Sequence, residues 1–115
     1  MNRGDVVRVQ LPKPVGQPGS EQYGVRPAIV IQADRVTAGL RTVMIVPMTS
    51  QLAAVRFPGT FCILPEPSNG LTVESAVLTS QLRAIDRGRI QDVIGTLSPG
   101  DMATLEKEIR RLLAL

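Results

Sequence analysis

Between residues 5 and 97 the apolar side chains come in short runs rich in valine and isoleucine, separated by proline, glycine and polar turn residues. Runs of that kind read as strands, because β-branched side chains suit a pleated surface and proline cannot donate to a central ladder. Asp5–Leu11 (DVVRVQL) is the first strand, closed by Pro12 and Pro14. Residues 12–25 form a long loop with three prolines and three glycines, a length more common in functional loops than in plain connections. Residues 26–32 give the second strand, 34–39 a turn, and 41–48 a third, almost continuously apolar strand. Residues 57–64 are expected as an edge strand, 65–70 as a turn, and 75–79 and 82–85 as two short strands. Residues 86–90 suit a tight turn or a single helical turn, and 93–97 a last strand.

Periodicity changes at Ser98. Ser98 suits an N-cap, Pro99 the first helical position, and Asp101 a capping-box-like arrangement. Met102, Leu105, Ile109, Leu112 and Leu113 then recur at helical spacing, giving one apolar face that covers the body or a partner. The reading is a single domain over residues 1–115, mainly β with a C-terminal α-helix, closed as a small twisted or half-open barrel. The apolar helix face and the strand at 41–48 offer more surface than one small barrel covers, which predicts a homodimer. With only Tyr23, Phe57 and Phe61 as aromatics, the core must be aliphatic.

Composition removes several chemistries. The chain has no histidine, which excludes serine–histidine and cysteine–histidine nucleophiles and paired-histidine acid–base catalysis. One cysteine, Cys62, cannot form an internal disulfide and reads as core filler in FCIL. With no histidine and isolated acids, no metal and no cofactor is expected. No stretch reaches the length of a membrane span, and MNRGDVVRV carries no hydrophobic signal core before its first charges, so a cytoplasmic protein without membrane contact is expected. Net charge is +3, and residues 1–97 carry all of it, because the acids and bases from Ser98 onward balance. That surplus mildly favours a polyanionic ligand.

Two segments then narrow the reading: GSEQYGVRPAIVI at 19–31 and VPMTSQ at 46–51. With RGDVVRVQL at 3–11 and VLTSQLRAIDRGRI at 77–90, they resemble the MazF/PemK family of toxins, in order along most of the chain. The resemblance implies an SH3-like barrel that dimerises and a small antitoxin partner with an acidic, flexible tail. It also implies a toxin of a type II toxin–antitoxin system: a metal-independent, sequence-selective endoribonuclease acting on single-stranded RNA. Arg26 in GVRP corresponds to the family's catalytic arginine and Thr49 in VPMTS to its catalytic hydroxyl. Glu21 and Gln22 match the acidic and amide positions of the first loop, Glu21 as a candidate proton acceptor and Gln22 as a substrate contact. Ser50 stands beside Thr49. Gln81 matches a glutamine usually preceded by an acid, where this chain has Ser80. Arg83 and Arg87, around Asp86, would hold phosphates.

The chemistry is consistent with these residue types. RNA carries its own nucleophile, the 2′-OH, so an enzyme has only to align it and stabilise the phosphorane, leaving a 2′,3′-cyclic phosphate and a 5′-OH. A guanidinium supplies a rigid, permanently charged fork for non-bridging oxygens, and a hydroxyl supplies one more donor. Without the motif, Arg26 reads as a strand-end arginine pairing with Glu21, Thr49 as a hydroxyl closing a turn, and the 83–89 segment as a solvated turn. Two other functions compete. A gyrase-poisoning, CcdB-like toxin would share the barrel, but RRLLAL lacks the tryptophan-containing end of those poisons. A non-catalytic SH3-like RNA-binding module would bind without cutting.

Overall fold

The computed structural model describes residues 1–13, 15–16 and 23–115. Among these described residues, seven strands and two α-helices follow in the order β1 (Asp5–Leu11), β2 (Gly24–Val30), α1 (Asp34–Thr37), β3 (Thr42–Thr49), β4 (Phe61–Ile63), β5 (Ser75–Val77), β6 (Arg83–Asp86), β7 (Ile90–Thr96) and α2 (Pro99–Leu113). All pairings are antiparallel, and the sheet runs β4-β5-β3-β2-β1-β7. β3 is the hub. One of its edges meets β2; the other pairs with β6 along residues 42–45 and with β5 at Met48 and Thr49.

Each face of the curled sheet carries its own core. Val7, Val9 and Leu11 of β1 pack with Ala28, Val30, Val43, Ile45 and Ile85. Val6, one residue out of phase, joins Ile29, Val46, Met48, Ile63, Val77 and Leu97 on the other side, where Leu105 of α2 closes the layer. The period-two alternation of a strand produces this division, and valine and isoleucine fill both layers. β3 is thus covered within its own chain: Val43, Ile45, Val46 and Met48 are fully buried. The expectation that strand 41–48 leaves apolar surface for a partner is therefore corrected.

α2 starts as the sequence indicates, with the Ser98 hydroxyl accepting from the Asp101 amide at 3.1 Å and Pro99 in the first turn. Its inward face is shorter than the periodicity suggests. Leu105 is buried and Met102 and Ile109 pack on the core, whereas Leu112 and Leu113 are exposed.

Other expectations change in detail. The turn expected at 34–39 includes the four-residue α1. The edge strand at 57–64 shrinks to Phe61–Ile63, because the chain is still turning at Thr60, whose amide donates to the Phe57 carbonyl. A 3-10 turn over Leu52–Arg56 was not anticipated. The single helical turn after Asp86 is present at Arg87–Arg89. Cys62 is only half-buried. Among the described residues, no helix is long and apolar enough to cross a membrane.

Candidate active site

The β2–β3 ladder ends at the pair Ala28 and Pro47. Carried two residues further, the same register sets Arg26 level with Thr49. A cleft of about 290 Å³ opens there, lined by residues 25–27 of β2, Met48, Thr49 and the following Ser50. Arg8 of β1, Ile94 of β7 and the segment 70–73 with Ser75 complete its walls. Its size is at the lower end for small-ligand sites.

Thr49 is only 3% exposed and is held in the ladder opposite Ala76. Its Oγ1 accepts from the Gln51 amide at 3.1 Å. The turn-closing reading of this hydroxyl is therefore correct, and it is compatible with a chemical role. One lone pair is occupied, so the hydroxyl proton is left to donate elsewhere. Arg26 donates from Nε to the Tyr23 carbonyl at 3.1 Å. That bond uses one of five guanidinium N–H groups and leaves the terminal fork for a ligand. A guanidinium fork and a hydroxyl around one cleft can bind a phosphate and oppose charge developing on its oxygens.

Arg8 is a site residue not singled out from the sequence. Its Nε donates to Asp92 Oδ1 at 2.9 Å and its Nη2 to Oδ2 at 2.5 Å. Hydrogen bonds from Arg8, and secondarily its charge, hold the Asp92 carboxyl below the ordinary carboxylate range against a partial loss of solvation; Arg8 is raised in turn. The signal was available, since Arg8 is the charged residue between Val7 and Val9 in an alternating strand. Segment 70–73 had none, because its place beside β2 and β3 is set by a distant contact with β7. There the chain approaches so closely that a Cβ on Gly70 would lie 2.0 Å from the Ile94 carbonyl oxygen, and one on Gly95 would lie 2.3 Å from the Asn69 carbonyl carbon.

The remaining expected site residues divide. Ser50 lies in the cleft with Arg26 and Thr49. Gln81 and Arg83 line a separate groove of about 540 Å³ with Pro12, Lys13, Val15 and Ser80. Arg87 donates from Nη2 to the Thr37 carbonyl at 2.7 Å, tying the β6–β7 turn to the end of α1, and lines neither cavity. Glu21 and Gln22 lie outside the described residues.

Comparison with known proteins agrees with the fold and the motif. The family described as PemK-like, MazF-like toxin of type II toxin–antitoxin system matches residues 2–113. Endoribonuclease EndoA of Bacillus subtilis is 33% identical over 115 residues, covering 100% of this chain and 96% of that protein. Endoribonuclease MazF of Staphylococcus saprophyticus is 31% identical over 109 residues, covering 95% of this chain and 88% of its own length. Among solved structures, MazF from Deinococcus radiodurans superposes with a TM-score of 0.79 at 25% identity, covering 100% and 97% of the two chains. A mycobacterial endoribonuclease solved in complex with its cognate antitoxin gives a TM-score of 0.75 at 20% identity, covering 100% and 96%. On the residues matched and the identity to these relatives, the chain belongs to the PemK-like, MazF-like toxin family of type II toxin–antitoxin systems.

Proposed function

We infer that this toxin is an endoribonuclease that cuts single-stranded RNA without a metal, by attack of the 2′-OH on the adjacent phosphorus. The observation that carries the reading is the shared cleft of Arg26 and Thr49. The relatives named endoribonucleases support it.

In the mechanism, Arg26 lays its terminal N–H fork on the non-bridging oxygens of the scissile phosphate. Thr49 donates its hydroxyl proton to the same group, with its oxygen anchored by the Gln51 amide. As the 2′ oxygen bonds to phosphorus, negative charge grows on those oxygens, and both donors strengthen. One donor of this type contributes roughly 10²–10³ in rate. The 2′ proton passes to Glu21 or to water, since a guanidinium, charged at every working pH, is a poor base. The 5′ oxygen departs taking a proton from water, leaving a 2′,3′-cyclic phosphate and a 5′-OH. Ser50 contacts the substrate beside Thr49. Gln22, Gln81, Arg83 and Arg87 are assigned to RNA outside the scissile phosphate, with Gln81 and Arg83 in the second groove.

The same reading assigns a second copy of the chain as partner, through apolar surface that includes the exposed leucines ending α2. It also assigns a cognate antitoxin, as the mycobacterial relative solved with its own antitoxin supports, and on this reading the antitoxin's acidic, flexible tail covers the RNA cleft. The compartment is the cytoplasm.

The deciding experiment incubates purified protein with a long single-stranded RNA in EDTA and maps the new 5′ ends. Expected are discrete cuts with 5′-OH ends, intact duplex RNA and DNA, and loss of cutting in Arg26→Ala with an unchanged melting curve. Uncut RNA would refute the reading, and an Arg26→Ala protein that cuts like wild type would remove Arg26 from it. Gyrase-dependent DNA breakage without RNA cleavage would point to the poison instead.

A further inference from the structure

We propose that Arg8 is a second phosphate contact of the cleft, taking a phosphate next to the scissile one, and that Asp92 holds it in position. This rests on the RNA reading of the cleft. Three observations carry it.

Arg8 lines the same cavity as Arg26 and Thr49. On β1 it is directly paired with Pro27, which also lines the cavity, one step along the ladder from the pair of Val9 and Arg26. The way Arg8 is bound is the second point. Asp92 engages Nε and one N–H of Nη2. Both N–H groups of Nη1 and the second N–H of Nη2 remain, and they form the end-on fork that matches two phosphate oxygens. The third point is exposure. The Arg8 side chain is 52% exposed, so its open fork can meet a strand entering the cleft. A two-point tether also removes most of the rotamer freedom that an arginine loses on binding, which is what a positioning contact requires.

A different account is that the pair merely ties β1 to β7, since Arg8 faces Asp92 across that ladder. The two accounts separate on three variants: Arg8→Met, Asp92→Asn and the double variant. Steady-state cleavage of a short single-stranded RNA is measured, together with equilibrium binding of the same sequence made uncleavable by 2′-O-methylation, over a series of salt concentrations. If Arg8 contacts a phosphate, Arg8→Met raises KM about tenfold with kcat retained, as expected for one charge-assisted hydrogen bond. The slope of log affinity against log salt falls in magnitude by roughly 0.7, one single-strand phosphate contact. Asp92→Asn keeps the guanidinium and does not lower the slope, and the double variant behaves like Arg8→Met.

Equal effects of Arg8→Met and Asp92→Asn on KM and slope would leave only the inter-strand tie and overturn the proposal. A raised KM with an unchanged salt slope would overturn the phosphate assignment. If wild-type protein neither binds nor cuts the RNA, the RNA reading itself fails; if it does both and Arg8→Met matches it, only the role of Arg8 falls.

Discussion

Replacing Asn69 with alanine should cost this protein far more than the loss of one polar side chain suggests. Asn69 lies in the turn between β4 and β5 and is 1% exposed. Its Oδ1 accepts from the amides of Glu66 at 3.1 Å and Leu71 at 3.0 Å, and its Nδ2 donates to the Leu64 carbonyl at 3.0 Å. Alanine leaves two backbone donors and one acceptor without these partners. At about 1 kcal/mol for each bond, the loss is about 3 kcal/mol. For a domain of this size each kcal/mol lowers Tm by roughly 4 °C, so a fall of roughly 12 °C is expected in a calorimetric melt at neutral pH. The same bonds set the path of residues 70–73, one wall of the cleft. RNA cleavage measured well below the new Tm should therefore also drop. A Tm within about 3 °C of wild type would show that water replaces the side chain readily, and the reasoning about this turn would be wrong. A large fall in Tm with cleavage unchanged would separate the turn from the site.

Two further outcomes follow from the same contacts. Gly95→Ala drives a Cβ against the backbone of Ser68 and Asn69, an overpacking that costs about 1–3 kcal/mol or more, whereas Gly100→Ala meets nothing within 4 Å and should leave the melt unchanged or slightly raised; equal melts for the two variants would contradict the close approach. The pairing of Asp92 with Arg8 should stabilise the fold above the ordinary carboxylate pKa of about 4 and lose that effect as the pH falls through the lower folded value, because the folded state holds the carboxyl ionised. The Tm difference between wild type and Asp92→Asn should accordingly be present at pH 7 and close under acid, and a difference that widened on acidification would reverse the sign argued here.

What could be read from the sequence was what local chemistry decides. β1 ends where Pro12 stops the alternation, and α2 begins where Ser98 and Pro99 supply a cap and a first turn; both match the structure. The aromatic and apolar residues of 57–64 look strand-like, but Pro58 and Gly59 keep the first half turning and only β4 forms. β7 begins at Ile90 rather than at residue 93, since Ile90 enters the sheet by pairing with Val9 across most of the chain's length. Arg26 and Thr49, which their motifs single out, line one cleft. Gln81, Arg83 and Arg87 belong to the same run of sequence, but Gln81 and Arg83, before and at the start of β6, line another groove, and Arg87 is tied to the end of α1. The wall at 70–73 was invisible because two glycines far apart in sequence create it, and neither advertises its partner.

The placement of the two central groups follows from how the sheet divides. Thr49 sits at the point where β3 pairs with β5 after its ladder with β2 has ended. It is therefore anchored from one side and open on the other. A threonine meets both demands: its branched carbon restricts χ1 inside the ladder, and its hydroxyl can accept from the backbone while still donating. Arg26 lies on the strand that has left β3 but still pairs with Val9 of β1, so its backbone is fixed while its long side chain keeps reach. A rigid short donor and a tethered long cation suit a phosphate whose geometry changes from tetrahedral to trigonal bipyramidal, because the first defines the position and the second follows the charge. On the proposed reading, in which the substrate brings its own nucleophile, a sheet of short strands that ends one ladder two residues early would be enough scaffold for the chemistry.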